Sequence, residues 1–325
     1  IRTLQTYFMS TVKGKPKPKY YGTVSPYPNF NASSDASVLQ SAIESKGVDE
    51  DVIISVLVKR SNEQRQKIKA VYEASTGERL DEALRGALRS DLEDVSLALL
   101  MTPAHFDAYQ LRQSTKGWGT HEDVLVEILA TRSNQEIREI KRVFKEEYEK
   151  DLEEVMQDET SGDFTTALLA MLKANKDENT EVNTGMARKD ILFEAGENTS
   201  GIDVSAFINI LTTRSGPQLS KTFQQYACVS DITLPKALNM ELKGDIEDCL
   251  IDIEQLSEHR RALFSQGHGT CEDTLTRVIV GRSEVDLKKI VEEYRAMYDI
   301  SLQEHILRET EEHYQKVLLG LCGPH

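Results

Sequence analysis

A short phrase ending in Arg-Ser recurs four times in this chain: Lys59-Arg60-Ser61-Asn62, Thr131-Arg132-Ser133-Asn134, Thr213-Arg214-Ser215-Gly216 and Gly281-Arg282-Ser283-Glu284. The arginines are spaced 72, 82 and 68 residues apart. Apolar residues at helical spacing precede each one: Val52, Ile53, Val56 and Leu57; Val124, Leu125, Ile128 and Leu129; Phe207, Ile210 and Leu211; Leu275, Val278 and Ile279. A second helical stretch follows each one, over residues 65–72, 137–148, 219–226 and 287–298. A third covers 80–88, 152–156, 234–242 and 302–307. A helical repeat of about 70 residues predicts an all-α chain of four units, each of about five short helices. Sustained period-two alternation is scarce, so almost no sheet is expected. The units divide as a flexible tail over 1–34 and repeats over 35–105, 106–180, 186–262 and 263–325, with a polar linker from Asp177 to Gly185. The repeated arginine reads as structural, its guanidinium bonding carbonyls at helix ends.

Charge limits the partners. The chain carries 54 acidic and 39 basic side chains, a net −15. A general nucleic-acid binder needs a net basic face, so nucleic acid is not an expected partner. The same balance opposes simple electrostatic docking on an anionic membrane unless a bound divalent cation reverses the local sign. The four cysteines, Cys228, Cys249, Cys271 and Cys322, form no metal or redox motif and fit a reducing compartment. No apolar run approaches the ~18 to 20 residues of a membrane span. The tail holds Lys13-Gly14-Lys15-Pro16-Lys17-Pro18-Lys19, an extended basic linker, and Val24-Ser25-Pro26-Tyr27-Pro28, read as extended chain lying against a core. A chain starting at Ile1 reads as lacking a short N-terminal piece.

The candidate chemistry lies in Lys116-Gly117-Trp118-Gly119-Thr120. Glycine permits φ > 0, so successive carbonyls can turn outward. Outward carbonyls are hard oxygen ligands suited to Ca2+, which also wants a carboxylate. Thr120 reads as an N-cap, with Asp123 completing a capping box. A near copy, Gln266-Gly267-His268-Gly269-Thr270, lies in repeat four. In both cases an acid stands 42 residues beyond the first glycine, Glu159 and Glu309, each read as part of a turn. The proposed donors are the carbonyls of Thr115, Gly117 and Gly119 with Thr120 and Glu159, and those of Ser265, Gly267 and Gly269 with Glu309.

Repeat three offers a variant, Gly196, Thr199 and Gly201 with Glu241. Repeat one departs most: its loop Lys46-Gly47-Val48-Asp49-Glu50 is shorter, and Ala87 matches Glu159. Weaker sites there would use Gly47, Val48 and Glu50, or Arg85, Leu88 and Glu93. Trp118, the only tryptophan, and Ile202 occupy loop tips suited to a membrane interface. Lys116 can meet a lipid phosphate. Helix caps alone are the competing reading of these loops.

The Lys-Gly-x-Gly-Thr loop, the acid about 40 positions later and the four Arg-Ser repeats resemble the annexin family over about residues 24 to 323. That resemblance implies a curved disc of four five-helix repeats, calcium loops on its convex face and calcium-dependent binding to acidic phospholipid. Val24-Ser25-Pro26-Tyr27-Pro28, Ile210-Leu211-Thr212-Thr213-Arg214-Ser215 and Leu242-Lys243-Gly244-Asp245-Ile246-Glu247 resemble members that aggregate membranes, serve trafficking and inhibit phospholipase A2. Such members recruit a small dimeric EF-hand protein through an N-terminal helix, of which Leu4, Tyr7 and Phe8 would be a remnant. The resemblance also implies a cytoplasmic protein, peripheral on membranes when calcium rises, with nuclear or extracellular pools. Gln266 replaces the usual lysine in repeat four, which also lacks Gly-Asp after its acid. No catalytic motif stands out, so an enzyme is not expected; a metal-independent helical-repeat scaffold is the rival reading.

Overall fold

The computed structural model describes residues 21–117, 119–187, 203–259 and 272–323, without the side chains of Val229, Glu241 and 255–259. Nineteen helices and no strand occur among the described residues. Repeat one holds α1 (Ala32–Ile43), α2 (Glu50–Leu57), α3 (Asn62–Thr76), α4 (Leu80–Ala87) and α5 (Ser90–Leu100). Repeat two holds α6 (Pro103–Ser114), α7 (Glu122–Thr131), α8 (Asn134–Tyr148), α9 (Leu152–Glu159) and α10 (Gly162–Leu172). After a short turn, α11 (Thr184–Ala187), come α12 (Val204–Thr213), α13 (Gly216–Val229), α14 (Leu234–Glu241) and α15 (Asp245–His259). The last four are α16 (Glu272–Arg282), α17 (Leu287–Tyr298), α18 (Leu302–Glu309) and α19 (Glu312–Cys322).

The Arg-Ser phrase sits between two helices, and its serine starts the second. Ser61 and Ser133 form reciprocal capping boxes with Gln64 and Glu136, and Ser215 caps the N–H of Gln218. In repeat four the phrase works differently: α17 starts after Asp286, and the Ser283 carbonyl instead accepts from Thr23 and Val24. In repeats one, two and four the arginine is structural, but its main partner is a carboxylate rather than helix-end carbonyls; Arg214 of repeat three donates to the Thr213 hydroxyl. Arg60 grips Asp35 through Nε and Nη2 at 2.6 and 2.8 Å, and Arg132 grips Asp107 with the same two distances. A planar fork meeting a carboxylate satisfies two donors at once, which scattered carbonyls cannot do as well. Arg282 makes the equivalent pair locally, with Asp286 one turn away.

The chain folds as two compact units, residues 1–96 with 279–325, and residues 97–278. In the first, the apolar stripe of α2 (Ile53, Ile54, Val56 and Leu57) is buried, and α19 packs against it. Gly320 permits that approach, since a Cβ there would stand 3.0 Å from Val58. The extended stretch before α1 lies on this unit as expected. Val24 is buried, Gln64 bonds both the N–H and the carbonyl of Tyr27, and Arg60 stacks 3.8 Å over the Tyr27 ring. Residues 1–20, with the basic linker and Leu4, Tyr7 and Phe8, lie outside the described residues.

The second unit has a continuous apolar core from Leu125, Ile128, Phe144, Leu168, Phe207, Leu211 and Leu250. Here α7 packs on both α10 and α15. Glu127 of α7 pairs with Arg277 at 2.9 Å, both nearly buried. Across the same surface Asp252 is pushed up to about 6 by burial, with Asp248, Asp123 and Glu127 adding repulsion. The polar linker is pinned rather than loose: Asp177 donates to the Thr213 carbonyl, and Asn134 bonds both Lys176 and Glu178. Cys249 and Cys322 are buried thiols pushed up to about 12 by burial, and Cys228 is exposed.

Candidate metal centre

The fourth helix of every repeat ends in one construction. α4, α9, α14 and α18 are each eight residues long and begin with leucine. The next residue is extended in all four: Leu88, Thr160, Leu242 and Thr310 have ψ of 168°, 169°, 165° and 160°. Its N–H closes the last helical turn on the carbonyl four residues back. Two residues beyond, the chain turns left-handed, at Ser90, Gly162, Gly244 and Glu312 with φ of 49°, 64°, 73° and 52°. The fifth helix starts there in repeats one, two and four, and one residue later, at Asp245, in repeat three. The final residue of the fourth helix is Ala87, Glu159, Glu241 and Glu309 in turn.

The acids therefore hold one structural position in three repeats. They are last-turn helical residues, where the sequence suggested a turn for Glu159 and Glu309. The Thr160 N–H bond to Met156 extends that helix three residues past the apolar pattern. Glu159 and Glu309 are exposed. The missing glycine in repeat four does not change the turn, because Glu312 accepts the left-handed conformation, as Glu149 and Asp299 do after α8 and α17.

The loop of repeat two behaves as its glycines require. Gly117 and Gly119 have φ of 113° and 98°, and added Cβ atoms would meet nothing within 4 Å. Thr115 is buried, its hydroxyl donating back to Leu111 and Arg112, whereas Lys116, Gly117 and Gly119 are exposed. No bond to the carbonyls of Thr115, Gly117 and Gly119, or to the Glu159 carboxylate, occurs among the described residues. Unspent main-chain oxygens at an exposed, glycine-permitted turn, with an unpaired acid, are a donor set that suits a hard cation.

One expectation fails here. Thr120 does not cap the next helix; α7 starts after His121 with no side-chain cap, and the Thr120 hydroxyl donates to Glu122. Asp49 and Asp203 do cap at the equivalent starts of α2 and α12. The helix begins one residue later than a Thr120 cap requires, so His121 takes the N-cap position and the Thr120 oxygen does not reach the first free backbone N–H groups.

Repeat one is organised otherwise. The Gly47 carbonyl accepts from Ser45, the Val48 carbonyl from the Glu50 N–H, and the Glu50 carboxylate meets His313. Leu88 is buried with its carbonyl bonded by Arg89, and Arg85 stands 4.0 Å from Glu93. Trp118, Gly196, Thr199, Gly201, Ile202, Ser265, Gly267 and Gly269 lie outside the described residues, as does the Glu241 side chain. Sequence reading missed Asp35 and Asp107 as arginine partners, though both stand 25 residues before their arginine. It also missed Arg89, His313 and Lys316.

No helix among the described residues is long and apolar enough to cross a membrane. The family model for annexin matches residues 34–99, 106–171, 190–253 and 262–321. Annexin A1 of Rattus norvegicus is 50% identical over 309 residues, covering 92% of this chain and 89% of its own. The solved structure of annexin III superposes with a TM-score of 0.89 at 40% identity, covering 94% of this chain and 98% of that one. Calcium-bound annexin (Sm)1 gives a TM-score of 0.82 at 26% identity, covering 94% and 93%. Four matched repeats, an all-helical fold and relatives spanning almost the whole length agree: the chain belongs to the annexin family.

Proposed function

We propose that repeat two holds calcium through the carbonyls of Thr115, Gly117 and Gly119, beside Thr120, with Glu159 as the carboxylate. As an annexin, the chain binds acidic phospholipid when calcium is present. The observation that carries the residue assignment is the shared acid position at the end of α9, α14 and α18, set against the open glycine turn before α7. The helices that follow the two turns, α7 and α10, pack directly on each other. Glu241 with Gly196, Thr199 and Gly201, and Glu309 with Ser265, Gly267 and Gly269, are the parallel sets.

When bound, the ion supplies positive charge and coordination places that lipid phosphoryl oxygens fill. The protein's part is to present four or so oxygens without spending them on its own bonds. Lys116 adds a point charge toward phosphate. Trp118 and Ile202 seat at the membrane interface, where an aromatic with a polar edge is favoured. Several weak sites multiply through effective concentration, which suits reversible attachment of an acidic protein to an acidic bilayer. Membrane aggregation, roles in trafficking and phospholipase A2 inhibition follow from coating such surfaces, with an EF-hand partner engaging the N-terminal tail.

Sedimentation with phosphatidylserine vesicles tests the assignment. Losing a charged ligand at about 1.5 to 3 kcal/mol predicts that Glu159→Gln raises the calcium needed for half-binding roughly tenfold or more. Superimposable calcium curves would remove Glu159 from the site. Trp118 fluorescence should shift to the blue on vesicles with calcium and return with chelator.

A further inference from the structure

Three of the repeated serines use their carbonyls alike. Those of Ser61, Ser133 and Ser215 accept from the N–H groups of Arg65, Ile137 and Leu219 at 2.9, 2.9 and 2.8 Å, closing the first turn of α3, α8 and α13. Leu287 is the matching residue in repeat four. The Ser283 carbonyl takes three donors from the tail instead: the Thr23 N–H at 2.8 Å, the Val24 N–H at 3.1 Å and the Thr23 hydroxyl at 3.2 Å. The exchange is reciprocal. Lys288, in the first turn of α17, gives its N–H to the Tyr21 carbonyl at 3.0 Å. No side chain caps α17, so a tail carbonyl satisfies a helix-end N–H that a capping residue serves elsewhere.

The difference traces to Arg282. Arg60 and Arg132 find their acids 25 residues earlier, at Asp35 and Asp107, whereas the same position before Arg282 is Ser257. Arg282 takes Asp286 instead, through Nε at 2.7 Å and Nη2 at 2.5 Å. Asp286 is the residue that would close a capping box with Ser283, as Gln64 does with Ser61 and Glu136 with Ser133. With that carboxylate drawn off, the box stays open. The Ser283 hydroxyl donates back to Val280, and residues 284–286 lie outside α17. The Glu284 carboxylate accepts the Asn62 N–H at the start of α3, the helix whose Gln64 also holds Tyr27.

We propose that the turn Ser283–Lys288 is a two-state receptor for the tail segment Tyr21–Val24. With the tail seated, the turn stays open. With the tail drawn away, the Ser283 carbonyl accepts from Leu287, its hydroxyl caps the Asp286 N–H, and α17 lengthens by residues 284–286. Each state satisfies the same carbonyl and the Lys288 N–H. A ligand that binds the tail only when it has left this turn therefore shifts repeat four to the longer helix.

Thr23→Pro in the full chain removes both donors of that residue. Two measurements read the outcome: the Cα carbon chemical shifts of Glu284, Val285 and Asp286, and the rate of chymotrypsin cleavage after Tyr21, identified by the mass of the fragment that begins at Gly22. The variant should be cut several-fold faster, since cleavage follows the population of released tail. Its three Cα shifts should move to helical values, while those of the wild type are non-helical. Faster cleavage with unmoved shifts overturns the proposal, because Arg282 and Asn62 would then hold the turn open without the tail. Unchanged cleavage overturns it as well, because Ser283 would not be what holds the tail. Asp286→Gln runs the switch the other way, writing the phrase of repeat one into repeat four. Its shifts should become helical with the native tail present, and cleavage should again quicken; non-helical shifts in the folded variant overturn the proposal. Where that variant does not fold, with Arg282 left without its acid, Thr23→Pro alone decides.

Discussion

Repeats one and two are the same scaffold carrying different surfaces. Asp35–Arg60 and Asp107–Arg132 share spacing and distances, and Ser61–Gln64 and Ser133–Glu136 share a capping box. Their third helices both end on a left-handed residue, Gly77 and Glu149. Above that common frame the loops diverge. Repeat two leaves main-chain oxygens unspent between two left-handed glycines, whereas in repeat one the carbonyls of Gly47, Val48 and Leu88 accept from Ser45, Glu50 and Arg89. The frame is thus a requirement of folding, and the loops are where the two repeats differ.

The largest effect should fall on the shared frame, and equally on both repeats. Arg132→Ala would leave Asp107 buried without its partner, and Arg60→Ala would do so to Asp35. Breaking such a buried pair costs about 3 to 5 kcal/mol. Urea unfolding should show a similar loss for both variants, with calcium-dependent binding kept wherever the chain stays folded. A loss confined to one repeat would break the equivalence. Next come the caps: Ser61→Ala and Ser133→Ala should each cost about 1 kcal/mol. Ser61 has the more to lose, because its Gln64 partner also holds Tyr27.

How far this was legible in sequence follows from the range of each interaction. The helices could be read because burial imposes a period of 3.6 on local sequence, and Ile53, Leu57, Leu125 and Ile128 lie in the core as that period required. Left-handed Gly117 and Gly119 were legible for the same local reason. The end of α9 was not, because its last turn is polar and is held by a backbone bond rather than an apolar face. Asp35 and Asp107 carried a signal, the identical spacing to arginine, that comparing two repeats would have exposed. Lys316 meeting Asp51 across 265 residues leaves no local pattern at all.

Glycine substitutions sharpen the comparison at about 1 kcal/mol. Gly119→Ala forces a side chain into a φ of 98° and should lower both stability and calcium response. Gly47→Ala should be tolerated, since that residue is not left-handed and its Cβ would meet nothing within 4 Å. Thermal melting with and without calcium reads both. If Gly47→Ala proves the more damaging, the two loops are not organised as described.

The smallest effect concerns one carboxylate seen from two repeats. Asp51 and Asp123 are both the second residue of their helix. Asp51 is held below the usual carboxylate range, chiefly by its hydrogen bond with Lys316. Asp123 has no such ion pair among the described residues; it adds repulsion at Asp252, which burial first and then Asp248 and Asp123 raise to about 6 from an ordinary 3.8. A carboxyl raised in the folded state favours folding when protonated, so that contribution is complete below about 4 and is lost as pH rises through 6. Asp252→Asn removes the burial penalty on the charged form. Because the group is only half-buried, solvent screening reduces the gain to about 1 kcal/mol at neutral pH. Chemical denaturation should show the variant more stable than wild type at pH 7.5 and level with it near pH 4. Equal stability at pH 7.5 would mean that water already relieves Asp252, and that Asp123 exerts no more strain in repeat two than Asp51 does in repeat one.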